Sequence, residues 1–162
     1  MERVIHPIPP LYNIDSKVLV LGSFPSVKSR EGQFFYHHPQ NRFWRVISAV
    51  FNESVPVTLE EKRDLLLRNG IAVWDVIQSC EIIGSADSSI KNVIPNDLSE
   101  ILKTAKLNRI ISNGSTSYQL YMKHIFPKTG IEALGLPSTS PANASCSMDC
   151  LVKAWSVLVT FI

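Results

Sequence analysis

Between Gly22 and Trp44 the chain places Gly-Ser-Phe-Pro-Ser ahead of Gln-Phe-Phe-Tyr-His-His-Pro-Gln-Asn-Arg-Phe-Trp. Core packing does not call for so many imidazole, amide and aromatic groups together, because buried polar groups need partners and exposed aromatics forgo burial. Such a set suits a flat, polar ligand. Gly22 lets a backbone come close, Pro25 fixes φ, and Ser26 offers a hydroxyl and an amide. Asn41 is read in two ways, as a helix cap or as an amide aimed at a water or a base edge. His38-Pro39 reads as a hydrogen-bonded corner, and Phe43 and Trp44 as core. A second stretch, Leu136 to Ser145, carries Pro-Ser-Thr-Ser-Pro-Ala-Asn, a stiff rim of hydroxyls and amides that can grip phosphate at small entropic cost. Asp87 either accepts a hydrogen bond from a ligand or forms an Asx turn. Asn113 ends an apolar run just before a helix, so the backbone amides that follow it face the same edge.

Several chemistries are excluded by what the sequence lacks. No Gly-x-x-x-x-Gly-Lys-Ser, Gly-x-Gly-x-x-Gly or His-Glu-x-x-His occurs. Ser138 lacks the elbow sequence of a hydrolase nucleophile. Cys80, Cys146 and Cys150 make no disulfide framework, which points to an intracellular protein with reduced thiols. Cys146 and Cys150, four apart on one helix face, have no companion ligands, so no metal and no cofactor is expected. Met1 to Asn13 carries prolines and no long apolar run, so no signal peptide is expected, and Leu151 to Ile162 is too short to span a bilayer. The net charge of +2 leaves any nucleic-acid contact to local geometry.

The elements that must position these groups follow from periodicity. Short apolar runs at Lys17–Gly22, Ile71–Val76, Asn108–Asn113 and Ile131–Leu136 alternate with amphipathic stretches, which predicts a parallel sheet with crossover helices. Phe43, Val46, Ile47, Val50 and Phe51 fall on one helical stripe opened by Asn41-Arg42. Thr58 with Glu61 predicts a capping box and Gly70 a stop, while Asp97 or Asn96 caps a third helix. Tyr118 to Phe126 makes another stripe, stopped by Pro127, and a last helix runs from about Ser147 to the end. Gly22–Gln40, Gln78–Asn96, Gly114–Ser117 and Pro137–Ser145 are then loops gathered on one sheet edge. With 162 residues, no repeat and no linker, the chain reads as a single domain, residues 1–162, and as a monomer.

With these residues in view, the chain resembles the uracil-DNA glycosylase superfamily. His38-Pro39-Gln40-Asn41-Arg42-Phe43-Trp44 is similar to the His-Pro-x-Asn-Arg-Phe-Trp of the mismatch-specific uracil and thymine glycosylases, and Pro137-Ser138 sits in the second signature loop. Where relatives keep a catalytic Asn or Asp in the first loop this chain has Phe24, and where the uracil-specific enzymes keep a His in the second it has Leu136. Both departures resemble the hypoxanthine-DNA glycosylase branch. The resemblance implies a three-layer α/β/α sandwich with a central four-stranded parallel sheet. It also implies release of a deaminated base flipped out of DNA, with Asn41 as the catalytic amide. Tyr36, or else Phe35, would stack on the base, with Phe24, Gly22 and Ser23 around it and Asn113 and Asp87 at its edge. Ser26, Ser138, Ser140 and Asn143 would hold phosphates. The alternatives are a uracil or mismatch glycosylase, a DNA-damage-binding protein without chemistry, and a flavodoxin-like nucleotide binder.

Overall fold

The computed structural model describes residues 2–162; Met1, the first residue of the segment read for a leader, lies outside them. In chain order the elements are β1 (Arg3–Ile5), β2 (Val18–Gly22), α1 (Val27–Gly32), α2 (Phe43–Val50), α3 (Leu59–Arg68), β3 (Ile71–Asp75), β4 (Ile77–Glu81), β5 (Lys91–Pro95), α4 (Ser99–Thr104), β6 (Arg109–Asn113), α5 (Ser115–His124), α6 (Phe126–Thr129), β7 (Ala133–Leu136) and α7 (Met148–Trp155). Short 3₁₀ segments follow at Asp87–Ser89 and Ser156–Phe161.

The main sheet has four parallel strands in the order β3-β2-β6-β7. Val18 to Leu21 read as a continuous apolar run because helices cover both faces of their strand. Val18, Val20, Ile71, Val73 and Ile111 pack with Phe43, Ile47, Leu65 and Trp155 of α2, α3 and α7. The alternate residues Leu19, Leu21, Ala72 and Ile110 pack with Ile101 and Tyr121 of α4 and α5. The result is the expected three-layer α/β/α sandwich. Register brings Gly22 beside Asp75 and Asn113 beside Leu136, so four strands end along one edge.

The stretch from Gln78 to Asn96 is largely not a loop. It holds the antiparallel pair β4 and β5, which with β1 makes a second sheet in the order β1-β4-β5. Polar Gln78, Ser79 and Glu81 together with two register shifts hide the strand pattern. Asn96 does not cap α4. Its buried Nδ2 donates to the carbonyls of Asp75 and Ile77 at 2.8 and 3.2 Å and sutures the kink where the chain leaves one sheet for the other. Asp97 takes the capping role, accepting from the Ser99 amide at 2.9 Å. Thr58 accepts from the Glu61 amide, and the Glu61 carboxylate reaches back to the Val57 amide. Pro127 opens α6 instead of stopping a longer helix, since a missing N–H costs nothing in a first turn. Ser147 caps α7, and Cys146 stands just ahead of that helix with its thiol 2.9 Å from Cys150. Among the described residues no helix is long and apolar enough to cross a membrane.

Candidate functional site

The two motif stretches meet through Thr139. Thr139 is fully buried, and its hydroxyl donates to Asn41 Oδ1 at 2.9 Å while accepting from Asn113 Nδ2 at 3.1 Å. The Thr139 amide donates to Asn113 Oδ1 at 3.0 Å, and its carbonyl accepts from the Arg42 amide at 3.1 Å. Three short polar side chains from three places in the sequence form one network centred on buried Thr139, which holds them in fixed orientations.

The network decides what Asn41 can do. Its Oδ1 also accepts from the Phe43 amide at 2.9 Å, a group that can only donate, so the carbonyl end of the amide points inward. The two Nδ2 hydrogens have no partner among the described residues. Asn41 therefore serves as the local cap at the start of α2 and still presents a donor. Arg42 fastens the second loop, its guanidinium donating to the carbonyls of Asn143 at 2.9 Å, Ser140 at 3.4 Å and Cys146.

The first loop is tied down differently. Ser26 caps α1, accepting from the Ser29 amide at 3.1 Å and donating to the Ser29 hydroxyl. The turn thus already occupies this hydroxyl. Ser23 donates to Asp87 Oδ1 at 3.0 Å, joining the loop to the 3₁₀ turn that carries Asp87. Phe24 and Phe35 are buried, at 7% and 3% exposure, and both pack against the His6 ring at 5.9 and 6.3 Å. Little of either ring is left exposed. Tyr36 has φ +50° and stacks on Phe43 at 4.1 Å, which leaves at most one face of its ring free. His38 Nδ1 accepts from the Gln40 amide at 3.1 Å and shapes the corner before Asn41.

A groove of about 650 Å³ runs between the Asp87 turn, the start of α5 and the second loop. Asn113, Ser138, Ser140 and Asn143 line it together. Ser138 and Ser140 accept local amides from Ser140 and Ala142 at 3.1 and 3.2 Å, so their hydroxyl hydrogens remain for an acceptor in the groove. Asn143 donates to the Ser138 carbonyl at 3.0 Å and stiffens the rim. The Asp87 carboxyl, set into the groove wall on an otherwise exposed residue, is pushed up by loss of water, with a smaller push from Asp75. Protons are thus held more tightly in the folded state, and folding gains as pH falls through that raised pKa. Asp87→Asn should remove this gain, so that on acidification the melting temperature of the variant falls further, or rises less, than that of the parent.

Two residues at the site carried no sequence signal. His6 and Asp75 form a pair at 2.7 Å, with side chains 2% and 5% exposed, directly beneath the first loop. His6 stands in an irregular N-terminal stretch and Asp75 at a strand end, and only the fold joins them. Thr139 was legible only as one hydroxyl in a rim. Because Thr139→Val keeps the shape and orphans Asn113 and Asn41, it should cost about 1–3 kcal/mol. Thermal melts should show that loss for Thr139→Val, with Thr139→Ser close to the parent.

Strand order, strand-end loops and the pinned pair of motifs define an open-sheet α/β protein with a groove at the carboxyl ends of its strands, where such folds bind their ligands. The chain belongs to the Uracil DNA glycosylase superfamily, whose family model matches residues 9–159. It is similar to the Hypoxanthine DNA glycosylase of Methanosarcina acetivorans, 33% identical over 87% of this chain and 89% of the relative. The Hypoxanthine DNA glycosylase of Methanosarcina barkeri is 31% identical over 83% and 85%. A solution NMR structure of a Methanosarcina acetivorans protein assigned to the uracil DNA glycosylases superposes with a TM-score of 0.82 at 30% identity, covering 98% of this chain and 99% of that one.

Proposed function

We propose that this protein is a monofunctional DNA glycosylase that releases a deaminated base, hypoxanthine foremost, from DNA and leaves an abasic site. The observation that carries the reading is the Asn41–Thr139–Asn113 network, which fixes the Asn41 amide and joins it through Thr139 to Asn113 on the wall of a hydroxyl-lined groove. The two relatives named as hypoxanthine glycosylases support the choice of base.

The glycosidic bond is out of reach inside a stacked duplex, so the nucleotide must be extruded at a cost of about a few kcal/mol. Ser138 and Ser140 offset that cost by donating to phosphate oxygens on the groove rim, with Asn143 holding their loop; Ser26, spent on α1, contributes its turn's backbone. Asn41 donates an Nδ2 hydrogen to the departing base. As the bond from C1′ to N9 breaks, its electron pair passes to the base. Water adds its oxygen to C1′, and its proton ends on the released hypoxanthine. A donor aimed at the charge that develops on the leaving base is the form of catalysis an amide can supply, since it is a poor general base. No lysine lies in the motifs to form a Schiff base, so the strand is left uncut.

An alkali-cleavage assay on duplexes carrying deoxyinosine, deoxyuridine or deoxyxanthosine tests this. Cleavage after alkali of the inosine strand, and none without alkali, is the expected result. Uracil release alone would transfer the assignment to the uracil enzymes, and tight binding with no base released would make the protein a damage binder.

A further inference from the structure

The three cysteines stand in unlike surroundings. Cys80 is fully buried in the core, while Cys146 and Cys150 meet at the start of α7 as free thiols with their sulfurs 2.9 Å apart. Cys146 is 8% exposed and Cys150 faces solvent. The Cys146 thiol donates to the Cys150 sulfur, and that bond foremost pushes it up, so Cys146 keeps its proton and Cys150 is the sulfur offered outward. Exchange between a thiol and a disulfide runs through a mixed disulfide, in which a second sulfur must displace the first leaving group. A buried partner behind an exposed sulfur suits that displacement, because the leaving group departs into solvent.

The pair also has a place in the site. Cys146 ends the second loop and Cys150 lies in the first turn of α7, so this helix holds the loop at both ends. At its last residue Trp155 donates to the Pro137 carbonyl at 2.9 Å, and at its first turn Cys150 accepts from Cys146. A thiol is a weak donor, so the second anchor is the weaker one. Ser138, Ser140 and Asn143 of the groove rim lie between the two anchors, and Arg42 ties the carbonyls of Ser140, Asn143 and Cys146 together.

We infer that Cys146 and Cys150 form a redox site at which a small disulfide, glutathione disulfide, makes a Cys146–Cys150 bond and fastens the exit of the second loop to α7. Cys150 gives up its proton and its sulfur attacks one sulfur of the glutathione disulfide. The bond between the two glutathione sulfurs breaks, and the first glutathione leaves with the electron pair and takes up the proton. The Cys146 sulfur then attacks that of Cys150, and the second glutathione leaves with the pair and the proton of Cys146. The protein loses two hydrogens with their two electrons, and one glutathione disulfide becomes two thiols. The closed ring is short, so it restrains the unfolded chain little, and a solvent-facing bond of this kind belongs to the reversible disulfides and not to the permanent staples. The inference stands apart from which base the enzyme releases.

The test titrates the reduced, full-length protein with glutathione and its disulfide, then alkylates it unfolded and weighs it intact. In the parent two of the three thiols should disappear together, leaving a chain lighter by two hydrogens, free of glutathione and still alkylated once, at Cys80. Cys146→Ser should stop at the mixed disulfide and carry one glutathione on Cys150. Cys150→Ser leaves only buried thiols and should react at least about tenfold more slowly. Amide exchange over Pro137–Cys146 should slow about threefold in the oxidised parent and recover with dithiothreitol, with no such change in Cys150→Ser. Should Cys146→Ser fail to fold, the parent and Cys150→Ser decide. Three thiols persisting at every glutathione ratio, a parent that keeps its glutathione or links to a second copy, or a disulfide that leaves exchange in the loop unchanged would each overturn the inference.

Discussion

Asn41→Ala should lower the rate of base release about 100-fold, the order found for removing one positioned donor, with the fold retained. The stability loss should be about 1–2 kcal/mol, because the Phe43 amide and the Thr139 hydroxyl both lose their acceptor. Asn41→Asp separates the two ways in which an amide could act. A carboxylate can still accept from Phe43 and Thr139, so the network closes, but it has no hydrogen to give the leaving base. If Asn41 works as a donor, Asn41→Asp falls as far as Asn41→Ala. A variant that instead holds a water by accepting from it would keep or exceed the parent rate, and the mechanism would then have to be rewritten. Single-turnover assays on a deoxyinosine duplex, with thermal melts beside them, read both quantities.

Trp155→Ala should have the largest effect on stability. Trp155 is fully buried, meets Phe43 edge to face at 6.1 Å, and donates from Nε1 to the Pro137 carbonyl at 2.9 Å. Removing a buried indole costs about 3–5 kcal/mol, a large share of the roughly 5–15 kcal/mol that holds an ordinary domain together. At about 2–4 °C per kcal/mol for a chain of this size, the melting temperature should fall by about 10 °C. Trp155→Phe restores most of the packing but not the bond to Pro137, and should lie between. Because Pro137 opens the second loop, that intermediate variant should also bind DNA more weakly than its stability alone would suggest; equal binding by parent and Trp155→Phe would show that the loop holds its shape without the tie.

The parts of this fold that were legible in the sequence are those set by local periodicity. Val18 to Leu21 could be read as a doubly covered strand, and Phe43 to Phe51 as a stripe, because each repeats its chemistry within a few residues. The β4–β5 hairpin escaped because its bulges break the alternation on which such a reading depends. At the site, Asn41, Asn113 and the second-loop serines stood out by type and by place after a strand. Their partners did not. Nothing near Thr139 in the sequence marks it off from Ser138 or Ser140, yet its burial makes it the hinge of the network while the other two line the groove.

The sequence by itself determined the class of layered sheet, the edge on which ligand loops gather, and the family whose motifs those loops resemble, since these depend on patterns within short windows. Only the tertiary structure decided which atoms face which. It turned the Asn41 carbonyl inward through the fixed donor of Phe43, packed Phe24 and Phe35 against the His6 ring, and spent the Ser26 hydroxyl on a helix cap. It also brought His6, Asp75 and Tyr36 together beneath Gly22. Hydrogen bonds between residues 69 or 98 positions apart are fixed by packing and register, and a linear pattern carries no record of them.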